Sequence, residues 1–503
     1  MPDTAEMPPI VETRTGPVQG RTRNGALLFG GIRYAASTAG RRRWLPPEAP
    51  EPWTEIFDAT HFGPAAPQLP GAGLTNSTPV DWSEDCLSLN VVTPALDDRR
   101  RPVYVWIHGG AYQHGQGATP WYDGTSFASR GDIVTVTINY RLGIFGYTNL
   151  AELAGGHPQS GHVGILDQLA ALRWVRDNIS AFGGDPARVT IGGESAGAFS
   201  VATLLGHPDG KGLFSRAILQ SGAAHSSITR AASRSLAHQV MVEADVDSVE
   251  ALGRVDAERL LEIAGRVTSA HGQPPRRNSL GITTSSPFYP TYSNDLYGHP
   301  TLLEAIAARS AGVAVLMGTN RDELGLWGIG RDIDDEKLER YISGMTDEVE
   351  AAVKTYRGEH PDAHNGEIAR RIGTDWTFRA PAIALAEARG EAPTFMYHFA
   401  WTSRAFDGAL GACHALEIPF TFNTLESSGA DVFLGPGEPP VALAESMHAS
   451  WINFIRDGDP TAEASSGWQP YSPAGRRVME FAEPSGLLDD PLPETRTFWS
   501  GRR

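Results

Sequence analysis

The segment Val189-Thr-Ile-Gly-Gly-Glu-Ser-Ala-Gly constrains this chain more than any other. A β-branched triplet stops at paired glycines, and a serine follows. Beyond it, Ala198-Phe-Ser-Val-Ala-Thr-Leu-Leu reads as a helix. Gly193-x-Ser195-x-Gly197 therefore fits a strand-to-helix elbow, in which the serine backbone is strained and the flanking turns come too close for a β-carbon. Such an elbow lifts the serine oxygen out of a sheet and aims the next amides, at a helix N-terminus, at a developing anion. The five-residue motif alone would arise by chance about 0.4 times in a chain this long, so its weight comes from the strand before it and the helix after it.

The rest of the chain agrees with an α/β architecture. Val103-Tyr-Val-Trp-Ile, Ile133-Val-Thr-Val-Thr-Ile and Val189-Thr-Ile fit strands buried on both faces. Ile165, Leu169, Leu172, Val175 and Ile179 recur at helical spacing between the last two. Further strands are expected at Ala217-Ile-Leu, Val313-Ala-Val-Leu-Met and Phe395-Met-Tyr-His-Phe. Alternation of this kind predicts a large, mostly parallel sheet flanked by helices. Upstream, Val18-Gln-Gly-Arg, Ala26-Leu-Leu-Phe and Leu87-Ser-Leu-Asn-Val-Val alternate apolar with polar residues, as half-exposed antiparallel strands do. The stretches 224–300 and 325–392 are less regular and are expected to form lids and pocket walls.

Directly after the Val103 strand comes His108-Gly109-Gly110-Ala111-Tyr112. Ester cleavage builds negative charge on the former carbonyl oxygen, and amides fixed around it stabilise it by about 3 kcal/mol each. The glycine-rich loop and the residue after the nucleophile are placed to supply them, which assigns the oxyanion hole to Gly110, Ala111 and Ala196. A serine nucleophile needs a base that titrates near neutrality, which predicts activity falling on the acid side with an apparent pKa of about 6 to 7. Of His360, His364, His398, His414 and His448, His414 is best placed, in a loop leading into a new element. For the acid, the Val313 strand ends in Asp322 and Glu323, at the strand end where carboxylates face a site in open α/β sheets. The residues themselves leave both open.

Composition excludes other classes. A net charge of −17, spread without an acidic tail or basic block, repels phosphate backbones and anionic lipid, so neither nucleic acid nor membrane is an expected partner. No window approaches about 18 continuous apolar residues, and the N-terminal stretch lacks a basic start followed by an apolar run. The two cysteines, Cys86 and Cys413, lie far apart and read as free thiols in a reducing cytoplasm.

Phe182-Gly-Gly-Asp-Pro-Ala-Arg-Val-Thr-Ile-Gly-Gly-Glu-Ser-Ala-Gly resembles the active-site signature of type-B carboxylesterases and lipases, within the α/β-hydrolase superfamily, and Glu84-Asp-Cys-Leu-Ser-Leu-Asn resembles a second signature. The likeness continues through Gly30-Gly-Ile-Arg-Tyr-Ala, Asn139-Tyr-Arg-Leu-Gly, Leu166-Asp-Gln, Gln220-Ser-Gly, Thr319-Asn-Arg-Asp-Glu and Ala412-Cys-His-Ala-Leu-Glu-Ile-Pro-Phe, with the para-nitrobenzyl-esterase branch most similar. The resemblance implies one α/β-hydrolase domain over residues 1–503, with Ser195 as nucleophile, His414 as base and Glu323 as acid, acting on a small-molecule ester as a monomer or small homo-oligomer. It implies no metal and no cofactor. It further implies that Phe199, Phe288, Leu326 and Trp327 line an apolar pocket for short-to-medium neutral esters, aryl esters included. A carbamate or amide hydrolase with the same triad is the alternative, and a catalytically inactive adhesion member a remote one.

Three departures from the family's pattern stand out. Ala111 replaces a third glycine in the loop but keeps its amide. Ala66 stands where secreted relatives place the cysteine that pairs with Cys86. Asn76 stands where cholinesterases place a tryptophan, with Trp82 closer to the signature.

Overall fold

The computed structural model describes residues 8–70, 80–225, 227–271, 286–328 and 333–502. Asn76 lies outside these. Among the described residues an eleven-stranded sheet runs, edge to edge, through Gly486–Asp489, Arg477–Phe481, Thr394–Phe399, Ala314–Asn320, Arg216–Gln220, Gly184–Glu194, Arg101–Ile107, Val134–Ile138, Ser88–Thr93, Ala26–Arg33 and Arg21–Arg23. The six pairings from Arg477–Phe481 to Val134–Ile138 are parallel. The four outer ones are antiparallel. Helices flank this mostly parallel mixed sheet, the arrangement expected of an α/β hydrolase. A separate three-stranded sheet joins Ile10–Thr13, Gly16–Gln19 and Phe57–Asp58.

Strands made of Val, Ile and Tyr need helices on both faces, and the helices carry the matching stripes. In the helix Val163–Asn178, Ile165, Leu169, Leu172 and Val175 are fully buried, as their spacing predicts. Two of the matched motifs meet in the core. Arg141 grips Asp167 with both Nε and Nη2, at 2.7 and 2.6 Å, and both side chains are almost wholly enclosed. The Tyr34 hydroxyl donates to the Asn139 carbonyl at 2.6 Å. These residues form framework, not chemistry.

Two expectations are corrected. The half exposure expected around Ser88–Thr93 is not found, and all six residues are buried. Its polar positions face partners instead of water: Asn90 Oδ1 accepts from the Gly31 amide at 2.9 Å and Asn90 Nδ2 donates to Thr137 Oγ1 at 2.9 Å. Alternation here marks a buried polar network, which periodicity cannot distinguish from a wet face. The described residues of 224–300 and 325–392 are largely helical, with helices at Arg230–Ala244, Ala257–His271, Asp335–Ser343, Val349–Glu359, Asn365–Thr374 and Ala380–Ala388. The shorter ones carry stripes of a few residues, such as Leu338 with Ile342 and Ala352 with Tyr356, whereas Leu236, Val240 and Met241, and Leu260, Ile263 and Val267, stripe the two 15-residue helices.

The parallel strands end on one side, where ligands bind in open α/β sheets. The Arg101, Gly184 and Ala314 strands run there into the glycine loop, Ser195 and the Asp322-Glu323 pair, and the loops beyond Thr394–Phe399 lead to His414. Four chain segments thus converge from positions up to 306 residues apart (108 to 414) because the sheet aligns their ends.

Candidate active site

Ser195 sits between the strand Gly184–Glu194 and the helix Ala196–Gly206 with φ 54° and ψ −123°. A non-glycine residue rarely takes this conformation, which costs about 1–3 kcal/mol and is found at functional sites. The surroundings enforce it. A Cβ on Gly197 would run into the Ile107 carbonyl, and one on Gly193 would lie 2.5 Å from the Gly197 carbonyl carbon. The Ser195 amide donates to the Gln220 carbonyl at 2.9 Å, and its carbonyl accepts from the Phe199 amide at 2.9 Å. From Val189 to Gly206 every residue is buried except Ser195.

The glycine loop is folded against this elbow. A Cβ on Gly109 would stand 2.6 Å from the Glu194 carbonyl oxygen and 3.2 Å from Ser195 Cβ. Gly110 (φ 108°), Ala111 (φ 55°) and Tyr112 (φ 58°) are successive left-handed residues. The Tyr140 hydroxyl holds the loop's start by donating to the His108 carbonyl at 2.7 Å, and the two rings stack at 4.6 Å. Ala196 opens the helix, where the first N–H groups have no intrahelical acceptor.

The two open carboxylates separate cleanly. Asp322 Oδ2 accepts from the Ala412 amide and from Arg321 Nε, each at 2.9 Å. Glu323 is completely buried. Its Oε2 lies 2.6 Å from His414 Nδ1, and its Oε1 accepts the Asn320 amide at 2.9 Å. The other histidine candidates lie elsewhere. His398 faces Glu480, His448 is bonded to the Thr421 carbonyl, His364 caps a helix and His360 ends one.

His414 Nε2 points towards the elbow, 3.0 Å from Glu194 Oε1. The two atoms form a buried ion pair at that distance, and neither has a further hydrogen-bond partner among the described residues. Burial pushes the imidazolium's pKa down, but the carboxylates of Glu194 and Glu323 outweigh it, and His414 ends well above the ordinary histidine value. The direction is upward from the ordinary imidazole range. Burial raises Glu194.

A third carboxylate, Glu417, completes the cluster. It is fully buried, accepts from Asn320 Nδ2 at 2.6 Å and Gln220 Nε2 at 3.2 Å, and is pushed up to about 8 by burial and then by Glu194 and Glu323. The three-residue spacing from His414 was the available signal, but an acid one helical turn away in sequence is usually solvated.

The expected pocket residues divide. Trp327 reaches the site, its ring centroid 5.0 Å from that of His414, with 51% of the residue exposed. Phe199 is buried on the elbow helix and packs edge-on against His225 at 5.3 Å. Leu326 packs against a buried cluster that includes Trp106, Leu410 and Trp451, while Phe288 is fully buried in the larger main core. Phe378, not singled out from sequence, lies against His414 at 4.9 Å. Among the described residues no three His, Cys, Asp or Glu side chains converge as a metal would require. No helix there is long and apolar enough to cross a membrane. Cys86 and Cys413 are both free and buried, and burial pushes both thiols up.

Comparison with known proteins gives a consistent result. A family profile described as the carboxylesterase family matches residues 7–499. The chain is 35% identical to the para-nitrobenzyl esterase of Bacillus subtilis (strain 168), covering 97% of each sequence. It is 35% identical to the phenmedipham hydrolase of Pseudarthrobacter oxydans, over 92% of this chain and 93% of that one. Among solved structures, the Geobacillus stearothermophilus carboxylesterase EST55 superposes with a TM-score of 0.85 at 35% identity, over 97% of this chain and 99% of that one.

Proposed function

The chain belongs to the carboxylesterase family, and from that premise we propose that it is a serine esterase that cleaves short-to-medium neutral carboxylic esters, aryl esters among them, through an acyl-enzyme on Ser195. His414 takes the proton from the Ser195 hydroxyl and returns it to the leaving alcohol. Glu323 fixes the ring so that Nδ1 carries hydrogen and Nε2 accepts, and stabilises the imidazolium that forms. The amides of Gly110, Ala111 and Ala196 receive the oxyanion. The observation that carries this reading is the 2.6 Å contact from Glu323 to His414 Nδ1, with Nε2 turned to the residue that precedes Ser195, 3.0 Å from Glu194 Oε1.

On the same reading the chain is one domain, with the helical stretches near 224–300 and 325–392 as pocket walls. Two free, buried cysteines support a reducing compartment, the cytoplasm. A dispersed charge of −17 supports a small-molecule substrate over nucleic acid or an anionic membrane, acted on by a monomer or small homo-oligomer.

The exposed Trp327 ring beside His414 offers apolar contact to an acyl or aryl group. The relative named para-nitrobenzyl esterase points to the same substrate class. The test is a panel of butyryl esters matched in size, with neutral aryl, neutral alkyl and choline alcohols, alongside anilides and carbamates. We expect kcat/KM to be highest for the neutral aryl ester and at least about tenfold lower for choline. A quaternary ammonium gains about 2 kcal/mol of cation–π contact only when desolvated against an aromatic face, and at the half-exposed Trp327 the contact is worth about 0.5–1 kcal/mol. Equal or better values for the choline ester contradict the neutral-ester reading. Faster cleavage of carbamates or anilides would move the chain to the other hydrolase class.

A further inference from the structure

Two aromatic rings lie against the His414 imidazole, and only Trp327 belongs to the expected pocket. Phe378 is 4% exposed, with its centroid 4.9 Å from that of His414 and the ring planes 39° apart. It stands in a π-helical turn, Asp375–Arg379, between the helices Asn365–Thr374 and Ala380–Ala388. Such turns are rare and concentrate at functional sites.

The local sequence explains this one. Pro381 has no N–H to give to the carbonyl four residues back, so the regular ladder cannot pass through it. The two sides of the segment face different clusters. Ile368, Ala369, Ile372 and Trp376 follow one helical face into a cluster with Leu338 and Tyr356. Phe378, Ala382, Leu385 and Ala386 belong instead to the main core. At about 100° per residue Phe378 stands about 200° round from Trp376, so the two rings point to opposite sides.

The turn is also pinned. Arg379 reaches both oxygens of Asp375 at 2.7 Å, while Tyr356 donates to Asp375 at 2.5 Å. Arg379 also donates to Thr495 Oγ1 at 2.5 Å, and Trp499 Nε1 to the Tyr356 hydroxyl at 2.8 Å, so the helix Pro493–Trp499 closes over it. The same element supports the acid, because Thr374 Oγ1 accepts from the Leu324 amide at 3.3 Å and a Cβ on Gly373 would collide with Leu324.

We propose that Phe378 is a positioning residue for His414, its ring carried to the imidazole by the pinned π-helical turn so that the base is kept dry, aligned and faced by an aromatic ring when it becomes a cation. This rests on His414 being the base. The ionisable groups around that base are Glu194, Glu323 and Glu417, all present whichever residue occupies position 378.

Phe378→Leu tests it, because leucine keeps the space apolar and excludes water but has no aromatic face. In the wild type the acid limb of kcat/KM is expected above the ordinary histidine value of about 6.5. In Phe378→Leu the limb should fall by about 0.5 to 1 pH unit, as expected for loss of a cation–π contact. Its kcat should drop roughly tenfold for loss of alignment. Phe378→Tyr, which keeps the ring, should leave the limb where it was. Phe378→Met, whose unbranched side chain fills apolar space without an aromatic face, should lower the limb likewise and keeps the test open if Phe378→Leu does not fold. A folded Phe378→Leu, or a folded Phe378→Met in its place, with an unmoved limb overturns the proposal. His414→Gln separates the two levels. Its inactivity alongside an unmoved limb overturns the role of Phe378 alone, whereas an active His414→Gln overturns the base assignment beneath it.

Discussion

Ser195→Ala leaves a folded protein whose ester turnover is lower by about a million-fold, the loss seen when a serine nucleophile acting as part of a unit is removed. Alanine keeps the Cβ that the elbow already accommodates at φ 54°. The backbone bonds to Gln220 and Phe199 involve no hydroxyl. Stability should therefore change little, or rise slightly as a partly exposed polar atom in a strained turn is removed. Circular dichroism and the melting curve check the fold, and kcat on a neutral aryl ester checks the chemistry. Turnover within about tenfold of wild type would assign the nucleophile elsewhere.

Glu323→Gln should cost about ten-thousand-fold in kcat, and Asp322→Asn less than about fivefold. The difference follows from what each carboxylate touches. Glu323 Oε1 must accept the Asn320 amide, so a glutamine there turns its carbonyl oxygen to Asn320 and its NH2 to His414 Nδ1. The imidazole can accept that hydrogen only by moving its own proton to Nε2, the nitrogen that must receive the serine proton. In Asp322→Asn, by contrast, the side-chain carbonyl can still accept the Ala412 amide, and only a part-exposed pair with Arg321 is lost. Glu323→Gln also removes one of three carboxylates from a buried cluster, so lost activity cannot be ascribed to a newly uncompensated charge. Steady-state kinetics of both variants check the ranking, and the reverse order would exchange the two roles.

What could be read in the sequence divides by how local the information is. The elbow at Ser195 and the loop at Gly110 are each encoded within a short local segment, because glycine is required where a Cβ would strike Ile107 or the His114 carbonyl. The parallel strands were legible from β-branched runs buried on both faces. Choosing Glu323 over Asp322 was not, since the two are neighbours and only the Asn320 amide and the Ala412 amide distinguish them. That choice came from family resemblance. Glu417 escaped because its burial depends on Gln220 and Asn320, which other strand ends deliver. Phe378 escaped because its contact with His414 joins two segments that are distant in sequence, and no local pattern marks it. The helices of 224–300 and 325–392 were missed for a simpler reason. Their apolar residues are interleaved with charge, and they pack partly against one another and partly against the main core.

The central claim, that Ser195 forms the covalent intermediate, is tested most directly by trapping it. An aryl-leaving-group organophosphate transfers its phosphoryl group to the activated serine and releases the phenol, forming a bond that His414 cannot readily hydrolyse. Intact-mass measurement followed by peptide mapping should find one adduct per chain, on the peptide carrying Gly193-Glu194-Ser195-Ala196-Gly197, with activity lost in proportion to labelling. Labelling should be absent in Ser195→Ala and slowed by a competing neutral ester. An adduct on another serine that tracks the loss of activity, or full activity in protein fully labelled at Ser195, would contradict the account.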